Sequence, residues 1–210
     1  MKKRFIFSIF ALCSLTAGAR SMADIWKLMP DSLMPYVDSK HRNEMVDFLH
    51  MGLKGDVDNM FESKSTMDTL TSDFIQVRVS EALMIQIKQL PVQNGDSILC
   101  VVRTWFGPSK YSSIQLYNEN WQPLKQNALG TESLSGMVPK LIVRPEGMDE
   151  QTYQEIKSSF DVLLPSASLF ADNDNLQLSV DNPELFEEQK AHFNEVKRLI
   201  MLKWNGNMFK

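Results

Sequence analysis

The stretch IQVRVSEALMIQIKQLPVQNGDSILCVVRTWFGPSKYSSIQLY, Ile75 to Tyr117, decides the fold. Ile75, Val77 and Val79 alternate with Gln76, Arg78 and Ser80; Leu83, Ile85 and Ile87 alternate with Met84, Gln86 and Lys88. Successive side chains of a strand point to opposite faces, so each run reads as a half-buried strand. Asn94-Gly95 is a strong hairpin signal, because its turn needs positive φ. It leads into Ser97 to Phe106, apolar on both faces and therefore central in a sheet. Ile114 to Tyr117 makes the next strand, turned by Asn118-Glu119-Asn120. Parallel neighbours need long crossovers, whereas turns this tight join antiparallel strands. The expected fold class is α+β, an antiparallel β-meander with helices packed on one face.

Upstream, MPDSLMPY (Met29 to Tyr36) carries two prolines and reads as an extended or turn segment. Ser39 is placed to cap a helix running to about Met51, with Met45, Phe48 and Leu49 on one face and Gly52 closing it. Gly55 to Ser65 reads as a polar loop. Downstream, a loop holding Gly130 and Gly136 enters VPKLIVRP (Val138 to Pro145), an extended piece. A helix follows from about Asp149 to Leu163, with Tyr153, Ile156 and Phe160 at helical spacing and Pro165 ending it. Ser168 to Ala171 and Leu176 to Val180 read as strands around the turn Asp172 to Asn175. Asn182-Pro183-Glu184 opens a third helix, and Leu199 to Trp204 is a strand that Asn205-Gly206 turns towards Met208-Phe209.

The order of extended piece, helix and sheet thus occurs twice. TLTSDFIQVRVSE (Thr69 to Glu81) and LFADNDNLQLSVD (Leu169 to Asp181) share a turn followed by alternating apolar residues. The chain divides into one half over 24–125 and another over 126–210, packed as one unit. Either an extended–helix–sheet unit is duplicated, or two α+β halves share common ingredients.

The first residues speak to compartment. Lys2, Lys3 and Arg4 precede the short apolar run Phe5 to Leu15, and Ser21-Met22-Ala23 has the small residues of a signal-peptidase site. Residues 1–23 are therefore expected to be a cleaved signal peptide, with a cut after Ala19 as the alternative. The run is too short for a permanent span, which takes about 20 apolar residues. Cys13 follows Leu12, not the small residue that precedes a lipidated cysteine. A periplasmic or extracellular location is the expectation. Cleavage removes four basic residues and takes the net charge from −4 to about −8. Nucleic acid and anionic membrane surfaces need a basic footprint, and this net negative charge argues against both as partners. Cys100 then remains alone, within Ile98 to Val102, where a small buried hydrophobe fits.

Several motifs together carry a resemblance: MPDSLMPY, LTSDFIQVRVSEA (Leu70 to Ala82), QIKQLP (Gln86 to Pro91), Gly107-Pro108 and SIQLYNENWQPL (Ser113 to Leu124). In that order, mostly within the first 125 residues, they resemble a secreted family of unknown function found largely in Bacteroidales, domain of unknown function family 3256. The family often has a cysteine just before Gly-Pro, where this chain has Phe106, so no thiol role carries over. The resemblance implies localisation and architecture but no catalytic residues.

Signals for chemistry are sparse. His41 and His50 stand nine residues apart, on opposite sides of a helix, so with His192 they make no metal set. Asp172 to Asn175 starts like a calcium loop, but Gln177 replaces the sixth-position glycine and Pro183 the twelfth-position glutamate. GTESLSG (Gly130 to Gly136) has the wrong spacing for a serine elbow. No phosphate-binding or dinucleotide fingerprint appears, and no cofactor is expected. A glycosidase pair could come from Asp73, Glu81 and Glu119, because its spacing is spatial.

What remains is aromatic. Trp105, Tyr111, Tyr117 and Trp121 lie around two strand ends, either as cross-strand packing or as a binding patch. The leading function is a non-enzymatic module that binds a protein or cell-envelope component through its sheet or hairpin tips. The alternatives are a hydrolase of envelope polymers or glycans, which requires two acids meeting in a cleft, and a small-ligand carrier, which requires a closed apolar pocket.

Overall fold

The structure, a computed structural model, describes residues 20–182 and 187–210. Residues 1–19 of the expected leader, and the Pro183-Glu184 start of the third expected helix, lie outside the described residues. No helix among the described residues is long and apolar enough to cross a membrane.

Six antiparallel strands form a meander in simple sequential order. They are β1 Gly55–Asp58, β2 Lys64–Leu70, β3 Phe74–Ser80, β4 Leu83–Pro91, β5 Ser97–Phe106 and β6 Lys110–Tyr117. The α+β expectation holds, and β5 spans the stretch marked as central. β1 and the first two residues of β2 occupy the segment read as a polar loop, and the rest of β2 lies where no strand was expected. Their composition, GDVD and KSTMDTL, suits an outer hairpin of the sheet, where one face and one edge meet solvent. β6 also begins four residues before Ile114.

One face of this sheet is covered by α1 (Met22–Lys27) and α2 (Ser39–His50). Met22, Ile25 and Trp26 of α1 and Met45 and Val46 of α2 pack with Ile75, Val77, Ile87 and Val101. Asp38, not Ser39, caps α2: its carboxylate accepts the His41 N–H at 2.9 Å. At the other end Leu53 N–H bonds to Phe48 O and Gly52 N–H to Leu49 O. That pairing needs a left-handed residue at Gly52, whose φ is +74°.

The opposite face carries the second half. A smaller antiparallel sheet runs β7 (Leu164–Leu169), β8 (Asn175–Asp181), β9 (Ile200–Lys203) in order. With it come α3 (Val138–Leu141), α4 (Glu150–Ser158) and α5 (Glu187–Val196). Val138 to Leu141 is thus helical where an extended piece was expected: Pro139 sits in its first turn, where a missing N–H costs nothing. α4 stops at Ser158, well before Leu163. Pro165 lies inside β7, the edge strand of its sheet, where it forfeits no ladder bond. Phe160 and Phe193 meet edge to face at 5.1 Å within the core that also holds Cys100, Val102, Leu176 and Leu178. Both halves therefore pair helices with an antiparallel meander, one of six strands and one of three.

The two sheets join through a polar row. Ser112 Oγ accepts the Ala167 N–H at 3.0 Å, and Gln86 Oε1 accepts the Leu169 N–H at 3.0 Å. Gln86 Nε2 donates to Leu169 O at 3.3 Å, and Lys88 Nζ donates to Ala171 O at 3.3 Å. The partners on the small sheet are spaced two residues apart, as the backbone groups along one edge of a strand are. Side chains of the large sheet thus stand in for a missing neighbour of β7. Gln86 and Lys88, read as the polar half of an alternation, are 5% and 1% exposed. Lys88 also meets Asp73 at 2.8 Å and Asp174 at 3.6 Å, which pins the β2–β3 turn to the β7–β8 turn.

Candidate functional site

The four aromatics singled out in the sequence separate into two pairs. Trp105 and Tyr111 face each other across β5 and β6, stacked with ring centroids 5.8 Å apart, and are 39% and 43% exposed. Tyr117 and Trp121 are a second contacting pair, at 5.6 Å, and both are buried. Trp121 donates its indole N–H to Ile25 O at 2.9 Å and holds a φ of +61°, rare for so bulky a residue. It clamps the turn after β6 onto α1. Tyr117 and Trp121 therefore belong to the core and offer no surface.

The exposed pair has company that composition did not reveal. β1 ends, β2 begins, β3 ends, β4 begins, β5 ends and β6 begins at one end of the large sheet, so three turns gather there. The β1–β2 turn displays Met60 and Phe61, 57% and 60% exposed. Phe61, Trp105 and Tyr111 are the exposed aromatic residues among the described ones, and all three lie at this end. Strand spacing puts the Phe61 turn roughly 15–20 Å from Trp105. The segment leading into α2 bridges that gap: Tyr36 packs on Phe61 at 4.7 Å, and Leu33 O accepts from Arg103 at 3.4 Å.

The β1–β2 turn of this rim is held by a set of hydrogen bonds. Buried Asn59 accepts the N–H groups of Phe61 and Ser63, and it donates to Ser63 Oγ, Ser65 Oγ and Val79 O. Met60 N–H reaches Tyr36 O at 2.9 Å, and Glu62 takes a φ of +57°. An Asn side chain that accepts two N–H groups of a tight turn while donating to the strands beside it fixes the course of the two residues that follow. A sequence signal existed in Asn59 to Ser63, a turn-forming residue followed by two exposed apolar ones, but the polar surroundings disguised it as loop.

The carboxylates do not converge. Asp73 precedes β3 and Glu81 follows it, roughly 25 Å apart across the seven residues of the strand, against roughly 5–10 Å for a glycosidase pair. Asp73 meets Lys88 while Glu119 accepts from Gln89 at 2.8 Å, and consecutive strand residues point to opposite faces. His41 bonds its own cap, Asp38, at 2.8 Å, and His192 lies beside Glu195. No metal-binding group of three or more such side chains occurs among the described residues. Asp172 to Asn175 forms the β7–β8 turn, with Asn173 Oδ1 accepting the Asn175 N–H at 3.0 Å. An apolar groove of 500 Å³ beside Met22, Leu49 and Leu70 opens to solvent. Cys100 is fully buried, and burial pushes its thiol far above the usual cysteine range.

No curated protein matches the chain. Among solved structures it is similar to a domain of an uncharacterized protein from Porphyromonas gingivalis W83. That likeness has a TM-score of 0.72 at 22% identity and covers 89% of this chain and 96% of the other, so it speaks for the fold. The family match extends well beyond the first 125 residues that carried the resemblance, into both sheets. Its model spans residues 14–209, and the chain belongs to the protein family of unknown function DUF3256.

Proposed function

We propose that this protein is an exported binding module that holds a protein partner of the cell envelope against the aromatic end of its large sheet. The observation that carries the reading is the gathering of three exposed aromatics at one end: Phe61 on a turn held by Asn59, and Trp105 and Tyr111 on the paired ends of β5 and β6. Aromatic side chains supply large contact area at low entropic cost, and a rigid mount avoids an ordering penalty on binding.

Export rests on the basic start and short apolar run at residues 2–15. Of the two cleavage points, the one after Ala19 fits the folded chain better. Arg20 bonds Asn120 at 2.9 Å, Ser21 caps α1, and Met22 is completely buried, so a cut after Ala23 discards parts of the fold. N-terminal sequencing of exported protein is expected to begin at Arg20; a start at Asp24 or an uncut chain overturns that assignment.

The test of binding is capture from the source organism's envelope, with tagged wild-type protein beside the triple variant Phe61→Ala, Trp105→Ala, Tyr111→Ala. The reading expects a partner retained by wild type and lost by a variant that melts within a few degrees of it. Equal capture by both proteins refutes it.

A further inference from the structure

On the reverse face of the same end lies a cleft of 130 Å³ between the two sheets. One wall is the outward side of the β7–β8 hairpin, where Ser166 pairs with Ser179 and Ser168 with Gln177. The other wall includes Phe106 and Lys110 at the β5–β6 turn. The inward partners Ala167, Leu176 and Leu178 fill the core, so these four polar residues are the face that strand alternation turns into the cleft.

Their side chains are half-buried, yet within the described structure none of the four bonds to another protein group. This contrasts with the neighbouring row, where Ser112, Gln86 and Lys88 are all engaged. The charge beside the cleft is positive. Lys110 Nζ lies 5.8 Å and the Arg78 guanidinium 5.7 Å from the Phe106 ring, and neither pairs with a carboxylate among the described residues. Among the described residues no carboxylate lines the cleft.

Three hydroxyls and an amide on one wall, an ammonium on the other and a guanidinium nearby supply donors from several directions. We propose that this cleft binds a tetrahedral oxyanion, a phosphate or sulfate group, either free or as the ester terminus of a larger molecule. A planar carboxylate uses fewer of these directions; a tetrahedral group presents acceptors to both walls. The cleft is roomier than one such group, which leaves space for the first atoms of an ester. This site stands independently of the aromatic rim, since it lies on the other face of the sheet and uses different residues.

The test is an amide NMR titration of the full chain with inorganic phosphate and with inorganic sulfate, at ionic strength matched by sodium chloride. Saturable shifts at Lys110, Ser166, Ser168, Gln177 and Ser179 are expected, with chloride alone silent. The double variant Arg78→Gln, Lys110→Gln should retain its fold and bind about tenfold or more weakly, since hydrogen bonds to charged groups are the strong ones. Glucose 6-phosphate and glucose 6-sulfate, with glucose as control, identify the source: tighter binding than the inorganic ion indicates an ester, equal binding a free anion. Absence of saturable shifts with every probe overturns the proposal, as do shifts that survive unchanged in the double variant.

Discussion

Replacing Gln86 by Leu tests whether a side chain really substitutes for a strand. The amide accepts the Leu169 N–H at 3.0 Å and donates to Leu169 O at 3.3 Å, and Leu169 is 3% exposed. Leucine matches the size of glutamine but answers neither backbone group, and water has little access to either. An orphaned buried donor or acceptor costs about 1–3 kcal/mol, so the pair costs roughly 2–6 kcal/mol. The added apolar contact offsets part of that, which leaves an expected loss of about 3 kcal/mol. With a urea slope of about 2 kcal/mol per molar for a chain this long, the midpoint should fall by about 1.5 M at unchanged slope. Amide exchange at Leu169 should accelerate alongside. Gln154→Leu on exposed α4, where the amide bonds Glu150, is the control and should stay within about 0.5 kcal/mol of wild type. A Gln86→Leu midpoint indistinguishable from that control refutes the reasoning, and β7 then needs no partner along its outer edge.

Trp121→Ala should cost about 3–5 kcal/mol by emptying a core site, whereas Trp105→Ala should change stability by about 1 kcal/mol or less; thermal melts of both separate structural from surface aromatics, and equal effects contradict the assignment. Cys100 should react slowly with Ellman's reagent until denaturant is added, because burial raises its thiol far above neutrality; rapid labelling of native protein disproves this. Asp38 is held below its ordinary 3.8 chiefly by the His41 N–H it caps. A depressed carboxylate stabilises the fold fully above its unfolded value, and that contribution is lost as pH falls through the folded value. Amide protection in α2 should therefore weaken below about pH 4, and Asp38→Ser, which caps without titrating, should flatten that dependence. An unchanged profile in Asp38→Ser counts against the cap as its source.

What could be read from the chain alone was whatever local chemistry dictates. The alternation of Ile75 to Val79 and Leu83 to Ile87, the Asn94-Gly95 turn and the doubly apolar Ser97 to Phe106 each specify strand and turn within a few residues, and the meander follows. β1 and β2 escaped because an outer hairpin can be polar: small and polar residues such as Gly55 and Ser65 fill its buried positions, and its strand character comes from pairing with β3, not from an apolar alternation of its own. Likewise Gln86 and Lys88 look like the wet side of a strand, and only the arrival of β7, some 80 residues further on, buries them. Period-2 alternation says that two faces differ; it does not say what will cover either one. The aromatics make the same point. Trp105 and Trp121 are indistinguishable by residue type, and α1 decides between them by receiving the Trp121 indole while leaving Trp105 beyond its reach. The candidate site needed the tertiary structure for the same reason. Phe61 and Trp105 are far apart in sequence, and only the meander, by returning alternate turns to one end, brings both to a single rim.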